Sequence, residues 1–229
     1  MIEDDGMEAD APDHRLLEDL APEAVLVALA RANPGSAIAA EDESELVRAT
    51  APRRMMFAAG RELARELARS IGVTLGGVPN DPGGAPVWPS GIVGSFSYKE
   101  RWCAVALSTN PRYRGLGIDL DRVRRLPSDS WDGICNAQER MQVSGVSPAV
   151  AVHLLFSAKE AYFKAQYAVT ANRDLEMTDI TVQISPQGRI SVLPELGGVR
   201  CWGVVALSGG WCAACVALEG TRILFDNRT

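Results

Sequence analysis

Gly115-Leu116-Gly117-Ile118-Asp119-Leu120-Asp121 is the stretch on which the reading of this chain turns. It follows an Asn110-Pro111 turn and reads as a strand leaving a core. Residues two apart on a strand project to the same face, so Asp119 and Asp121 aim at one point. Like charges so placed repel unless they are solvated, share a proton or bind a cation. Magnesium is the natural cation for close carboxylates, with waters and phosphate oxygens completing its shell. Taken alone, the pair is better described as two solvated aspartates at an exposed strand end, so the rest of the chain decides.

Downstream, the apolar positions Val152, Leu155, Tyr162 and Phe163 predict a helix from about Pro148 to Tyr167. It contains Phe156-Ser157-Ala158-Lys159-Glu160-Ala161-Tyr162-Phe163-Lys164. Glu160 and Lys164 are four apart and share a face in the orientation that favours an ion pair. Phe156 and Phe163 lie near the same side, which puts that pair at the edge of a packed surface. A third carboxylate beside a lysine, brought to the two aspartates, would complete a metal and phosphate site. Phosphoryl-type transfer needs those parts: a metal to neutralise charge, a cation on the leaving side and a carboxylate to take a proton. Rival chemistries have few candidates, because His14 and His153 are the only histidines. His153 and Ser157 are one helical turn apart but lack a strained elbow or an oxyanion loop. His153 reads as a packed or surface helix residue.

Upstream, Ile92–Tyr98 and Trp102–Ser108 predict a hairpin around Lys99-Glu100-Arg101. A helix is expected from about Pro52 to Ile71, with Thr50 as its cap and Gly72 closing it. Its Arg61, Arg65 and Arg69 stripe reads as a solvated face balanced by Glu62 and Glu66. A shorter helix is expected over Leu16–Leu29, behind a frayed acidic tail spanning residues 1–15. The C-terminal part is strand-rich, at Ile180–Ile184, Arg189–Leu193, Val199–Leu207 and Trp211–Leu218. Arg101-Trp102-Cys103-Ala104-Val105-Ala106-Leu107 is echoed by Gly210-Trp211-Cys212-Ala213-Ala214-Cys215-Val216-Ala217-Leu218, and each closes a hairpin. The echo predicts an α+β fold of two similar lobes, residues 16–113 and 114–229, with the boundary near Tyr113.

Composition narrows the function further. With 47% hydrophobic and 23% charged residues among 229, this is an ordinary globular chain. A net charge of −6 argues against general nucleic-acid binding. Five arginines against two glutamates between Arg53 and Arg69 suit a compact anionic ligand better than a polyanion. No secretory signal or bilayer-spanning run is visible, so a cytoplasmic protein without a membrane partner is expected. Cys212 and Cys215 form a CxxC inside an apolar strand. Their offset of three sends the thiols to opposite faces, which favours buried small hydrophobes over redox or zinc chemistry.

Three motifs in order then carry a resemblance. Gly117-Ile118-Asp119-Leu120-Asp121, followed about forty residues later by Phe156 to Lys164, is similar to the signature of Sfp-type phosphopantetheinyl transferases. Trp88-Pro89-Ser90-Gly91-Ile92-Val93-Gly94-Ser95 resembles the preceding motif of the enterobactin-synthetase, actinobacterial subgroup. Arg53 through Phe57, Gly60-Arg61 and Ala64-Arg65 resemble its early helix.

The resemblance implies a pseudo-twofold α+β fold with coenzyme A bound between the lobes, working as a monomer with internal pseudo-dimer symmetry. It implies transfer of 4′-phosphopantetheine from coenzyme A to a serine of an acyl or peptidyl carrier protein, in polyketide, nonribosomal peptide or siderophore biosynthesis. By position, Asp119, Asp121 and Glu160 would hold Mg2+, Glu160 would act as base and Lys164 would bind phosphate. Arg53 and Arg61 would grip the 3′-phosphate and adenine end. Ser97 and Tyr98 fall where the subgroup carries its coenzyme A contacts, and there Tyr98 replaces a histidine. The loop Pro82-Gly83-Gly84-Ala85 before Pro86 lacks the basic residue common there, so Lys99 is the candidate replacement cation. Asp121 stands where glutamate is more usual. The competing expectations are a scaffold of this kind that has lost or changed the reaction, and a magnesium-dependent pyrophosphate hydrolase.

Overall fold

The computed structural model describes residues 11–18, 20–47, 49–124, 126–193 and 199–220. The N-terminal sheet has three antiparallel strands, β1 (Leu26–Arg31), β2 (Val93–Lys99) and β3 (Trp102–Ser108), in the order β1-β3-β2. Helix α1 (Ala51–Ser70) starts with Pro52 in its first turn and stops before Gly72, whose φ of 75° only glycine adopts readily. It packs Leu63, Ala64 and Ala68 against Phe96, Cys103, Val105 and Leu107 of the hairpin.

The second sheet is built from β4 (Tyr113–Arg122), β5 (Thr181–Ile184), β6 (Arg189–Leu193), β7 (Arg200–Ser208) and β8 (Trp211–Glu219), in the order β4-β8-β7-β6-β5. A six-residue helix, α2 (Ala137–Gln142), opens with a capping box between Asn136 and Glu139. It lies between β4 and α3. The long helix α3 (Pro148–Thr170), capped by Ser147, packs on β4 and β8. The echoed strands β3 and β8 occupy matching places, each between two antiparallel neighbours.

β8 is buried on both sides. Cys212, Ala214, Val216 and Leu218 meet Leu155, Ala158, Ala161 and Tyr162 of α3. Trp211, Ala213, Cys215 and Ala217 meet Leu116, Ile118 and Leu120 of β4 and Ala104 and Ala106 of β3. This second cluster is the seam between the sheets. The two thiols of the CxxC therefore sit on opposite faces, all five cysteines are free, and burial pushes the Cys215 thiol up to about 12.

The other face of β4 carries Gly115, Gly117, Asp119 and Asp121 toward α3. A Cβ on Gly117 would fall on the carbonyl oxygen of Ala161, so glycine lets the helix backbone touch the strand. That close approach brings the middle of α3 to the two aspartates.

Two expectations are corrected at the N-terminus. In place of a helix over Leu16–Leu29 there is a 3-10 turn, His14–Leu17, and then β1. Pro22 and the left-handed Ala24 (φ 61°) stop any helix from continuing, and Leu26–Arg31 finds a partner in β3. Residues 1–10 of the expected tail lie outside the described residues. Asp13 accepts hydrogen bonds from Arg15 N and Ser208 Oγ, and Leu16 and Leu20 are buried in the seam. Among the described residues no helix is long and apolar enough to cross a membrane.

Candidate active site

A cleft of about 460 Å³ opens between β2 and the β4–α3 layer. Its walls include Arg53 of α1, Ser97, Tyr98 and Lys99 of β2, Asp119 and Asp121 of β4, and Glu160 and Lys164 of α3. Eight of the nine residues singled out in the sequence thus share one cavity. The aspartates are not at an exposed strand end, since each is only 7% exposed.

Asp119 is held from three directions. Its Oδ2 accepts from Ser157 Oγ at 2.8 Å, and its Oδ1 accepts from Lys164 Nζ at 2.8 Å and Ser97 Oγ at 3.3 Å. Ser97 Oγ also accepts from Leu120 N at 3.0 Å, so one hydroxyl of β2 ties the N-terminal sheet to β4. Lys164 Nζ donates to Ile118 O at 2.8 Å as well, which fixes the ammonium at the cleft wall. Asp121 meets Lys99 Nζ, accepts from Arg122 N at 2.7 Å, and has His153 Nε2 at 3.6 Å from its Oδ2.

Glu160 completes the acidic set. Burial raises its carboxyl above the usual glutamate range and Lys164 opposes that shift, while the charges of Asp119 and Asp121 add to it. A raised carboxyl is the better proton acceptor, which suits a general base. Three carboxylates are a donor set suited to a hard cation. As the side chains stand, no three His, Cys, Asp or Glu groups among the described residues converge tightly enough to grip an ion, because lysines lie on both aspartates.

Arg61 is placed differently from expectation, so the solvated-stripe reading of its helix face fails at Arg61, whereas Glu66 and Arg69 are exposed as expected. It is 2% exposed, with its guanidinium 4.0 Å from the Phe57 ring centroid and 4.1 Å from that of Phe96. Nε donates to Val78 O at 2.9 Å, Nη2 to Asn80 Oδ1 at 2.8 Å and Nη1 to Tyr98 OH at 3.0 Å. Phe57 lies one turn earlier on α1, but the other covering groups come from a loop and from β2, which helical spacing could not reveal. Arg61 thus backs the cleft through Tyr98 instead of lining it. Burial pushes the Tyr98 phenol up to about 12, so it remains a neutral hydrogen-bonding group.

Lys159, adjacent to Glu160 in the motif, points away from the cleft. It is 0% exposed, pairs with Glu139 at 2.9 Å and donates to the carbonyls of Ile134, Met177 and Ile180. Three further residues belong to the cleft or its shell. Ser157, Glu160 and Lys164 are spaced three and four apart on one face of α3, a signal that could have found Ser157. His153 is packed, as expected, but against Asp121; burial lowers its basicity while the two aspartates pull the other way. Arg124 lines the cleft from an irregular segment that offers no periodicity to read.

Comparison with known proteins follows these two halves. The family model for the 4′-phosphopantetheinyl transferase N-terminal domain matches residues 41–108, and that for the 4′-phosphopantetheinyl transferase superfamily matches residues 115–216. The 4′-phosphopantetheinyl transferase Svp of Streptomyces mobaraensis is 30% identical over 191 residues, covering 79% of this chain and 76% of the relative. Npt of Nocardia iowensis, of the same description, is 31% identical over 145 residues, 62% of this chain and 65% of the relative. PptT of Mycobacterium tuberculosis is 31% identical over 140 residues, 60% and 61% of the two chains. The last two matches span less than two thirds of the relatives' lengths.

Proposed function

Because the chain belongs to the 4′-phosphopantetheinyl transferase superfamily, we propose that it moves 4′-phosphopantetheine from coenzyme A to a serine of an acyl or peptidyl carrier protein, releasing adenosine 3′,5′-bisphosphate. The observation that carries this reading is the convergence of Asp119, Glu160 and Lys164 with Arg53 and Lys99 in one cleft between the two sheets. The carrier serine oxygen attacks the phosphorus bearing the pantetheine arm, and the bond from that phosphorus to the bisphosphate oxygen breaks. Glu160, whose carboxyl is raised by burial, takes the serine proton. Lys164, pinned by Ile118 O and Asp119, donates to the phosphate oxygens as charge develops on the leaving group. Ser157 and Ser97 hold the Asp119 carboxylate in place.

The carboxylates suit Mg2+, which Asp119, Asp121 and Glu160 would hold and which would neutralise charge on the pyrophosphate. Arg53, Lys99 and Arg124 line the same cleft and supply the cations for the 3′-phosphate end. Tyr98 offers a neutral contact there, fixed by Arg61. Both walls of the site come from one chain, which supports a monomer of two lobes meeting near Tyr113. Five free cysteines fit a reducing compartment and support a cytoplasmic role, with carrier proteins of secondary-metabolite pathways as partners.

The test is incubation with coenzyme A, Mg2+ and several apo-carrier proteins, reading carrier mass. A pantetheinyl increment on the carrier serine is expected, abolished in Asp119→Ala and Glu160→Ala. No increment on any carrier from folded protein refutes transfer, and bisphosphate release without a carrier identifies a hydrolase.

A further inference from the structure

Helix α3 and strand β4 meet in a fixed register. Gly115, Gly117, Asp119 and Asp121 stand two apart on one face of β4, and Ala165, Ala161, Ser157 and His153 stand four apart along α3. Two residues of strand advance about 6.6 Å and four of helix about 6.0 Å, so the two series stay in step. Each rung of this ladder brings one residue of each series together. A Cβ on Gly115 would fall on Ala165 O, and one on Gly117 on Ala161 O, so the first two rungs are backbone contacts. At the third, Ser157 Oγ donates to Asp119 Oδ2 at 2.8 Å. At the fourth, His153 Nε2 faces Asp121 Oδ2 at 3.6 Å.

That fourth rung pairs two incomplete groups. His153 is 0% exposed, and neither ring nitrogen has a hydrogen-bond partner among the described residues. A separation of 3.6 Å is longer than a hydrogen bond, which needs about 3 Å. An unpaired buried donor is costly, whereas an apolar side chain would fill the same place beside the Phe156 ring without that cost. Packing alone therefore does not account for an imidazole. Asp121 has the complementary need: its Oδ1 meets Lys99 Nζ and Arg122 N, and its Oδ2 is turned toward His153. A carboxylate only accepts, so a ring nitrogen bonded to it carries hydrogen whether the ring is neutral or charged.

We propose that His153 is a positioning residue, whose Nε2–H donates to Asp121 Oδ2 and holds that carboxylate for the cation as Ser157 holds Asp119. The inference rests on the reading of the cleft as a site for Mg2+ and coenzyme A. A shift of about 0.5 Å between ring and carboxylate closes the contact. Asp121 is then held at both oxygens and keeps lone pairs free for a metal. Partners of this kind set metal affinity through the ligand they orient, typically by ten-fold or more. His153 stands behind Asp121 and does not line the cleft.

The experiment measures Mn2+ binding by calorimetry, with coenzyme A present, for the parent protein, His153→Leu and His153→Gln. Mn2+ is the probe of the Mg2+ site. His153→Leu removes the donor and keeps an apolar filling, so Mn2+ affinity should fall about ten-fold with denaturant stability unchanged or higher. His153→Gln returns an N–H donor of similar reach and should recover most of the affinity. Parent-like binding by His153→Leu overturns the proposal. Equal loss in both variants also overturns it, since shape alone would then matter. His14 is the only other histidine, so ring-nitrogen NMR of the tag-free parent protein reads His153 directly. Hydrogen on Nε2, protected from exchange, is expected, and a ring carrying hydrogen on Nδ1 alone overturns the contact. Carrier modification is followed in parallel. If no carrier is modified while Mn2+ binding still depends on the His153 donor, the transferase reading fails and the positioning role stands. No Mn2+ binding by the parent protein overturns the positioning role, even where a carrier is modified.

Discussion

Arg61 on α1 and Lys159 on α3 are both shut away from solvent, yet different partners hold them and they reach different places. Lys159 meets a carboxylate, Glu139, and three carbonyls from the segments around Ile134, Met177 and Ile180. Glu139 in turn accepts from Val182 N and Asn136 N, so one buried pair joins α3 to α2 and β5. Arg61 lies between two aromatic rings and distributes its donors over a carbonyl, an amide oxygen and a phenol. Its planar fork spans a loop and a strand at once, and the phenol it touches lines the cleft. The lysine is therefore a strut between α3, α2 and β5, whereas the arginine sits one contact from the cleft. A buried charge is not by itself a sign of function; what its partners touch decides.

The largest test of that contrast is Lys159→Met. Leaving Glu139 buried without its partner should cost about 3–5 kcal/mol in denaturant unfolding. The folded fraction should keep the KM for coenzyme A, and adding Glu139→Gln should recover part of the loss. A large change in that KM would move Lys159 into the functional class. Arg61→Lys comes next: loss of the fork should cost about 2 kcal/mol and also weaken coenzyme A use, visible as a higher KM. An unchanged KM would make the two cations equivalent.

Tyr98→Phe removes only the link between arginine and cleft, and about 1 kcal/mol is expected. Its KM shift should be smaller than that of Arg61→Lys and in the same direction. The smallest effect concerns Asp42, which accepts from Val78 N next to the carbonyl that Arg61 grips. Burial raises the Asp42 carboxyl above its usual value, so the fold favours its protonated form. Its contribution is full below the unfolded-state value and is lost as pH rises through the folded-state value. Asp42→Asn should flatten unfolding stability across that acid window. A profile identical to that of the parent protein would show that the site does not titrate there.

The strand at Asp119 and Asp121 and the helix at Glu160 and Lys164 were legible because their geometry is local: two residues along a strand, four along a helix. The same local rule separates Lys159 from Glu160, since neighbours on a helix diverge by about 100°. What lies opposite each face is not local. Arg61 looked like part of a solvated stripe because, beyond Phe57 on its own helix, the groups that cover it come from residues 78–80 and 96–98. The missed strand β1 follows from the same limit. Leu26–Arg31 has a leucine-rich, helix-like composition, and its extended form depends on β3, more than seventy positions away. The hydrogen bond from Tyr167 on α3 to Asp81 in the loop before β2 likewise carries no periodic signal at all.

The turn at His14–Leu17 has a consequence for how the chain is made. Leu16 and Leu20 emerge during synthesis long before their partners on β8. Asp13 likewise waits for Ser208, which is 195 positions later. The seam between the sheets therefore cannot close until β8 has been made, and contacts of such long sequence separation form slowly. Until then the leucines of the leading segment are exposed hydrophobic groups on the nascent protein, the kind of surface that chaperones capture.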